Sequence, residues 1–173
     1  MHMIEKGFTR LETFFLRLSQ LALVIMMVLT TFDALSRYIF SKSITGAYEV
    51  TEMYLMVILV FLSMSYVQRI DGHIRLDILF SRLTERSQNY LNSFYYIISA
   101  ALMFFIGYKG LMITMDAIQN NLIASGLINF PLWLSYIWIP IGSFLIMIRQ
   151  ILLAIMLLVG IPPQNEDREE VND

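Results

Sequence analysis

Hydrophobic positions along this chain gather into four long runs, at residues 18–38, 47–67, 91–109 and 133–152, with most charged positions between them or at their ends. Each run is about 20 residues, the length with which an α-helix crosses roughly 30 Å of hydrocarbon. Backbone N–H and C=O groups find no partners in lipid and must be satisfied within the segment, so continuous apolar runs predict helices. A membrane β-barrel would need shorter segments of alternating polarity. The pattern therefore predicts an all-α membrane protein with four transmembrane helices, a single integral membrane domain over residues 1–163 and a disordered acidic tail at 164–173.

Two shorter stretches have one apolar face. In residues 3–17, Phe8, Leu11, Phe14 and Phe15 fall near one helical side, with Lys6, Arg10 and Arg17 free to reach headgroups. This reads as an amphipathic lead-in lying in the interface ahead of the first span. In residues 73–86, Leu76, Leu79, Phe80 and Leu83 follow the i, i+3, i+4, i+7 spacing, and Arg75, Arg82 and Arg86 form a neighbouring stripe. That stretch is too short to cross. It predicts an amphipathic interfacial helix between spans 2 and 3, its arginines contacting phospholipid headgroups. Thr45 is placed to cap the second helix, Asn120 and Asn121 to end the third, Pro131 to open the fourth and Pro140 to bend it.

Charge sets the orientation. Lys6, Arg10 and Arg17 precede the first run, and Arg69, Arg75, Arg82 and Arg86 separate the second from the third. The other linkers hold only Arg37, Lys42 and Lys109. The positive-inside rule places the N-terminus, the middle linker and hence the C-terminus in the cytoplasm, in a multi-pass protein of a bacterial inner membrane. The net charge of -2 adds little.

Composition narrows the chemistry. The chain has 173 residues, 57% of them hydrophobic, which leaves linkers too short for a soluble domain with its own core. With no cysteine there is no thiol–disulfide exchange, thiolate metal site or iron–sulfur cluster. No phosphate loop, nucleophile elbow or pair of catalytic acids is present, so no enzyme and no catalytic residue is predicted. No cofactor, metal or nucleic-acid partner is predicted either. Histidine occurs only at His2 and His73, outside the runs, which removes the usual axial ligand for a haem within a span. Twelve methionines spread over the helices read as flexible packing. Gly107 and Gly110 allow close helix approach.

A few polar positions are candidates for partner or structural contacts. Asp33 and Arg37 are four apart at the outer end of the first span, and Glu49 and Glu52 three apart at the outer start of the second. The short turn between them predicts that all four lie close together. Ion pairs that orient two helix ends are the plainest reading, a contact with a partner at the outer surface the next, and a proton or cation site the third. His73 and Asp77 share a face of the surface helix, as a local pair or an anchor to a neighbour. Arg149 sits deep enough in the fourth run to need either snorkelling or a partner.

The stretch from Gly46 through Glu52, the apolar helix to Tyr66, and then Gln68, Arg69, Ile70, Asp71, Gly72, His73, Ile74, Arg75, Leu76 and Asp77 resemble one family. They are similar to the small membrane subunit of tripartite ATP-independent periplasmic (TRAP) transporters, the DctQ-like family. Its pattern is an acidic start to the second helix, an arginine, and a His-Ile-x-x-Asp segment. The fourth-helix start, residues 131–140, is similar too. Tyr48 stands where many members have a tryptophan, and Val50 and Thr51 separate acids that many members keep adjacent.

The resemblance implies a sodium-coupled uptake system for an organic acid such as a C4-dicarboxylate, a sugar acid or sialic acid. In it a periplasmic substrate-binding protein captures the solute, and a large membrane subunit holds the substrate and sodium sites. This chain then binds and stabilises the large subunit. Two alternatives stand beside it: a small self-contained dimeric proton-coupled exporter using Glu49 or Glu52, and a membrane anchor of a redox enzyme.

Overall fold

The structure, a computed structural model, describes residues 2–70, 85–124, 126 and 129–159. Within them lie four helices long and apolar enough to cross a membrane: Gly7–Phe40, Ala47–Arg69, Tyr90–Gln119 and Trp133–Val159. The protein is a multi-pass, all-helical membrane protein, as the four runs predict. The interfacial-helix candidates His73, Arg75, Asp77 and Arg82 and the acidic tail lie outside the described residues. Arg86 falls in the first turn of the third long helix, its side chain also outside them.

The first helix, α1 (His2–Phe40), is unbroken over 39 residues. This corrects the division into an interfacial lead-in and a separate span. Residues 3–17 contain no glycine–proline punctuation, only Gly7, and helix formation is cooperative, so nothing halts propagation into the apolar run. The second span consists of α2 (Ala47–Val50), a π-helical turn Thr51–Leu55 and α3 (Met56–Arg69). Thr45 does not cap it. Gly46 takes the N-cap position in a left-handed conformation, φ 80°, without a side-chain cap. The third span is α4 (Glu85–Gln119), longer at both ends than its apolar run. It stops where Asn121 turns left-handed, φ 47°.

The fourth span begins as α5 (Trp133–Tyr136) and continues as α6 (Trp138–Val159). The break at Ile137 follows from Pro140, which has no N–H for the Tyr136 carbonyl and whose ring crowds that oxygen. The connection from the third to the fourth span is pinned by a short antiparallel bridge between Ile123 and Pro131. Ala124 N–H donates to the Phe130 carbonyl at 2.9 Å and Leu132 N–H to the Leu122 carbonyl at 3.0 Å.

The helices form a row. The first span packs on the second, the second on the fourth, and the fourth on the third. The spatial order is thus 1-2-4-3, and the fourth span is an inner member, buried along two sides. The two edge helices each bury a single seam. On α1 it is Glu12, Phe15, Ser19, Ala22, Met26, Leu29, Asp33 and Ser36; on α4 it is Ser93, Tyr96, Ala100, Met103, Gly107, Gly110, Thr114 and Ala117. Both alternate steps of three and four, the 3.5-residue spacing that keeps one stripe facing a neighbouring helix.

Small and polar residues dominate these seams, while Val24, Phe32, Phe94, Leu102 and Phe105 are exposed. Lipid is as apolar as leucine, so helices associate by close van der Waals approach and hydrogen bonds rather than by hiding hydrophobic area. Glycines mark the tightest crossings. A Cβ on Gly142 would collide with the Phe61 carbonyl of the second span, and one on Gly110 would come 2.8 Å from Ile139 Cγ2. One on Gly107 would lie 3.2 Å from Ser143 and Phe144. The glycine positions proposed from the sequence for close approach are used for it.

Candidate functional site

The most deeply buried charges in the described residues sit where three helices meet. Glu12 on α1 is 0% exposed and Arg149 on α6 is 3% exposed. The Arg149 guanidinium grips the Glu12 carboxylate with both ends of its fork: Nε donates to Oε1 at 2.8 Å, and Nη2 pairs with Oε2. Ser65 on α3 donates its hydroxyl to the same Glu12 Oε1. Arg149 Nη2 also reaches Thr9 Oγ1 at 3.4 Å, and Phe8 places its ring 5.4 Å from the guanidinium carbon. A bidentate carboxylate–guanidinium pair with its spare lone pair taken by a hydroxyl is the arrangement that best offsets the cost of desolvating two charges.

Each partner is where it is for a local reason. Glu12 and Ser19 are one heptad apart on the α1 seam, and Ser19 donates to the Leu59 carbonyl of the second span at 3.0 Å. Ser65, three positions after buried Leu62, lies on the α3 side that meets both neighbours. Arg149 follows Gly142 by seven positions, so the same seam that lets the second and fourth spans touch also delivers the arginine to Glu12. The partner that Arg149 requires is thus within the chain. The sequence does not single out this site, because Glu12 precedes the first apolar run, within the stretch 3–17 that reads as an interfacial lead-in. The available signal was the recurrence of polar residues at Glu12, Ser19 and Asp33, multiples of seven apart.

A second set of polar contacts organises the end of α1 and the start of the second span. Arg37 pairs with Asp33, one turn away, and Asp33 Oδ1 accepts the Ile44 N–H at 2.7 Å. Ser36 donates to the Lys42 carbonyl at 2.8 Å. Asp33 therefore fastens the turn between the first and second spans to the end of α1. The neighbouring acids face other groups. The Glu49 carboxylate lies against Gly126 in the connection between spans 3 and 4, close enough that a Cβ there would meet it at 2.5 Å. Glu52 lies one helical turn after Tyr48, on the same side of the helix. The expected gathering of four charges resolves into these distinct neighbourhoods.

Between them the π turn makes a further joint. The Ser135 hydroxyl donates to the Met53 carbonyl within that turn. Tyr54 donates to the Pro131 carbonyl at 3.2 Å and sets its ring edge-on to Phe130, centroids 5.9 Å apart. A π turn widens the helix and tilts its carbonyls away from the axis, which offers Met53 to a neighbour. Among the described residues no group of three histidine, aspartate or glutamate side chains is placed to hold a metal ion.

Comparison with known proteins decides the family. Residues 26–160 match the family described as tripartite ATP-independent periplasmic transporters, DctQ component. This chain belongs to the DctQ family. It is also similar to the ectoine TRAP transporter small permease protein TeaB of Halomonas elongata, at 24% identity over 152 residues, 88% of this chain and 76% of that protein. No solved structure matches it. Membership makes the chain a transporter subunit of the small-permease type and not an enzyme.

Proposed function

We propose that this DctQ-family chain is a passive brace for the large membrane subunit of a TRAP transporter, seated in the inner membrane with both termini cytoplasmic. The observation that carries this reading is the pairing of buried charge. The buried carboxylates among the described residues, Glu12 and Asp33, are both engaged by arginines of this same chain. A carboxylate locked in a bidentate pair is poorly suited to bind and release a proton or sodium ion in each cycle. Coupling then falls to the large subunit, which would hold the sodium and substrate sites, and capture falls to a periplasmic binding protein. The two edge helices expose long apolar faces, as suits a subunit that fills area between a partner and lipid.

The solute is best read as an organic acid, with a C4-dicarboxylate, a sugar acid or sialic acid as candidates and the ectoine of the Halomonas relative as a further one. Asp33 and Arg37 at the end of the first span, and Glu49 and Glu52 at the start of the second, suit structural or partner contacts rather than catalysis. The test is to express the chain with and without its large subunit and binding protein. Co-purification with the large subunit and loss of solute uptake on deletion of this chain are expected. Independent purification, with uptake intact after deletion, would overturn the assignment.

A further inference from the structure

Two basic residues lie well inside the third and fourth spans, and the chain treats them differently. Arg149 is buried and held by Glu12. Lys109 is exposed on α4, the edge helix of the row, among exposed Leu102, Phe105, Ile106, Met112 and Ile113. Positions one turn away in either direction are apolar, so no acid lies within intrahelical reach at i±3 or i±4. Asp116, two turns on, is engaged by Asn120 at 2.7 Å. Among the described residues Lys109 has no ion pair or hydrogen bond.

Its depth follows from the packing. The adjacent Gly110 rests against Ile139 and Pro140, so Lys109 stands at the level of Ile139. That is six residues, or about 9 Å of helix rise, inside Trp133. It is ten residues, about 15 Å, from the end of α4 at Gln119. The nearer membrane surface is thus at the C-terminal end of α4. Side chains on a helix tilt toward its N-terminus, which points Lys109 away from that surface and toward mid-membrane. Snorkelling to the nearer headgroups works against this tilt.

We infer that the outward face of the third span around Lys109 is a docking surface for the large subunit, and that the lysine ammonium receives an aspartate or glutamate from one of that subunit's membrane helices. This rests on the brace reading above. A lone cation facing lipid is costly, and a buried counter-charge on a partner removes that cost while fixing the depth and register of docking. The flanking Phe105, Ile106, Met112 and Ile113 supply the apolar contact around it.

The test compares Lys109→Met, Lys109→Glu and Lys109→Arg in the intact transporter, reading co-purification of the large subunit and solute uptake. Lys109 touches neither the α4 seam nor the Glu12 site, and unchanged elution and thermal stability of the Lys109→Met chain alone are expected to show it. Complex yield should then fall on the order of tenfold for Lys109→Met, further for Lys109→Glu, and stay near wild type for Lys109→Arg. Restoration of the Lys109→Glu complex by changing one intramembrane acid of the large subunit to lysine would establish the pairing. Wild-type yield and uptake in both Lys109→Met and Lys109→Glu would overturn the inference alone. A loss of co-purified anionic phospholipid from Lys109→Met, with subunit ratio unchanged, would overturn it in favour of a lipid phosphate. Failure of the wild-type chain to co-purify at all would instead sink the brace reading.

Discussion

Glu12 and Arg149 stand 137 positions apart in the chain and form one buried, two-pronged ion pair that ties the first helix to the fourth across Ser65 of the second. Edge helix α1 otherwise packs on the second span alone, so this pair is what anchors the N-terminal half of α1 to the centre of the row.

Removing one member should do more harm than removing both. Glu12→Gln or Arg149→Met leaves its partner poorly compensated in an apolar crossing, at a cost of about 3–5 kcal/mol. The double variant Glu12→Met/Arg149→Met leaves no charge behind and should melt closer to wild type than either single variant. Thermal unfolding of the four proteins in one detergent checks this; singles and double equally destabilised would mean that the pair has no special energetic coupling.

Two glycines in the same chain should respond in opposite ways to alanine. At Gly142 a Cβ meets the Phe61 carbonyl, a backbone atom that cannot swing aside, so Gly142→Ala should separate the second and fourth spans and cost about 1–3 kcal/mol. At Gly7 nothing lies within 4 Å, and Gly7→Ala should gain about 0.5–1 kcal/mol from reduced backbone entropy. Denaturant midpoints in micelles separate the two, and a Gly142→Ala protein as stable as wild type would show that the crossing has slack.

Asp33 holds the turn between the first and second spans through the Ile44 amide as well as through Arg37. Asp33→Ala should cost about 1–3 kcal/mol and speed hydrogen exchange at Ile44. Asp33→Asn keeps an acceptor for Ile44 and should protect that amide nearly as well as wild type. Equal exchange in all three proteins would show that the turn is held by its backbone alone.

The joint at the π turn should be worth less. Ser135→Ala removes the hydroxyl given to Met53, and intramembrane side-chain bonds of this kind average about 0.6 kcal/mol. A small shift in melting temperature is expected, with the Glu12–Arg149 variants far more damaging. A Ser135→Ala protein destabilised as much as Glu12→Gln would place the principal joint at the π turn instead.

Much of the architecture was legible in the chain. The four spans, the stop at Asn121, the disturbance from Pro140 and the tight approach at Gly107 and Gly110 all follow from length, φ preference and steric bulk, which are local properties. The Asp33–Arg37 pair was legible for the same reason, since residues four apart on a helix are neighbours in any fold. Arg149 was recognisable as a residue in need of a partner.

What the sequence could not settle was which helix would answer. In water, hydrophobic periodicity points to the core; in lipid the apolar residues face both partner and solvent, so periodicity of leucine and phenylalanine carries no direction. The direction is carried by sparse small and polar residues at 3.5-residue spacing, and their meaning depends on which helices lie side by side. The order 1-2-4-3 brings Glu12, Ser65 and Arg149 to one crossing and turns a residue ahead of the first apolar run into a buried joint between three helices. The sequence by itself determined what must be buried in lipid, while the tertiary arrangement decided which charges could neutralise one another there and left Lys109 facing outward.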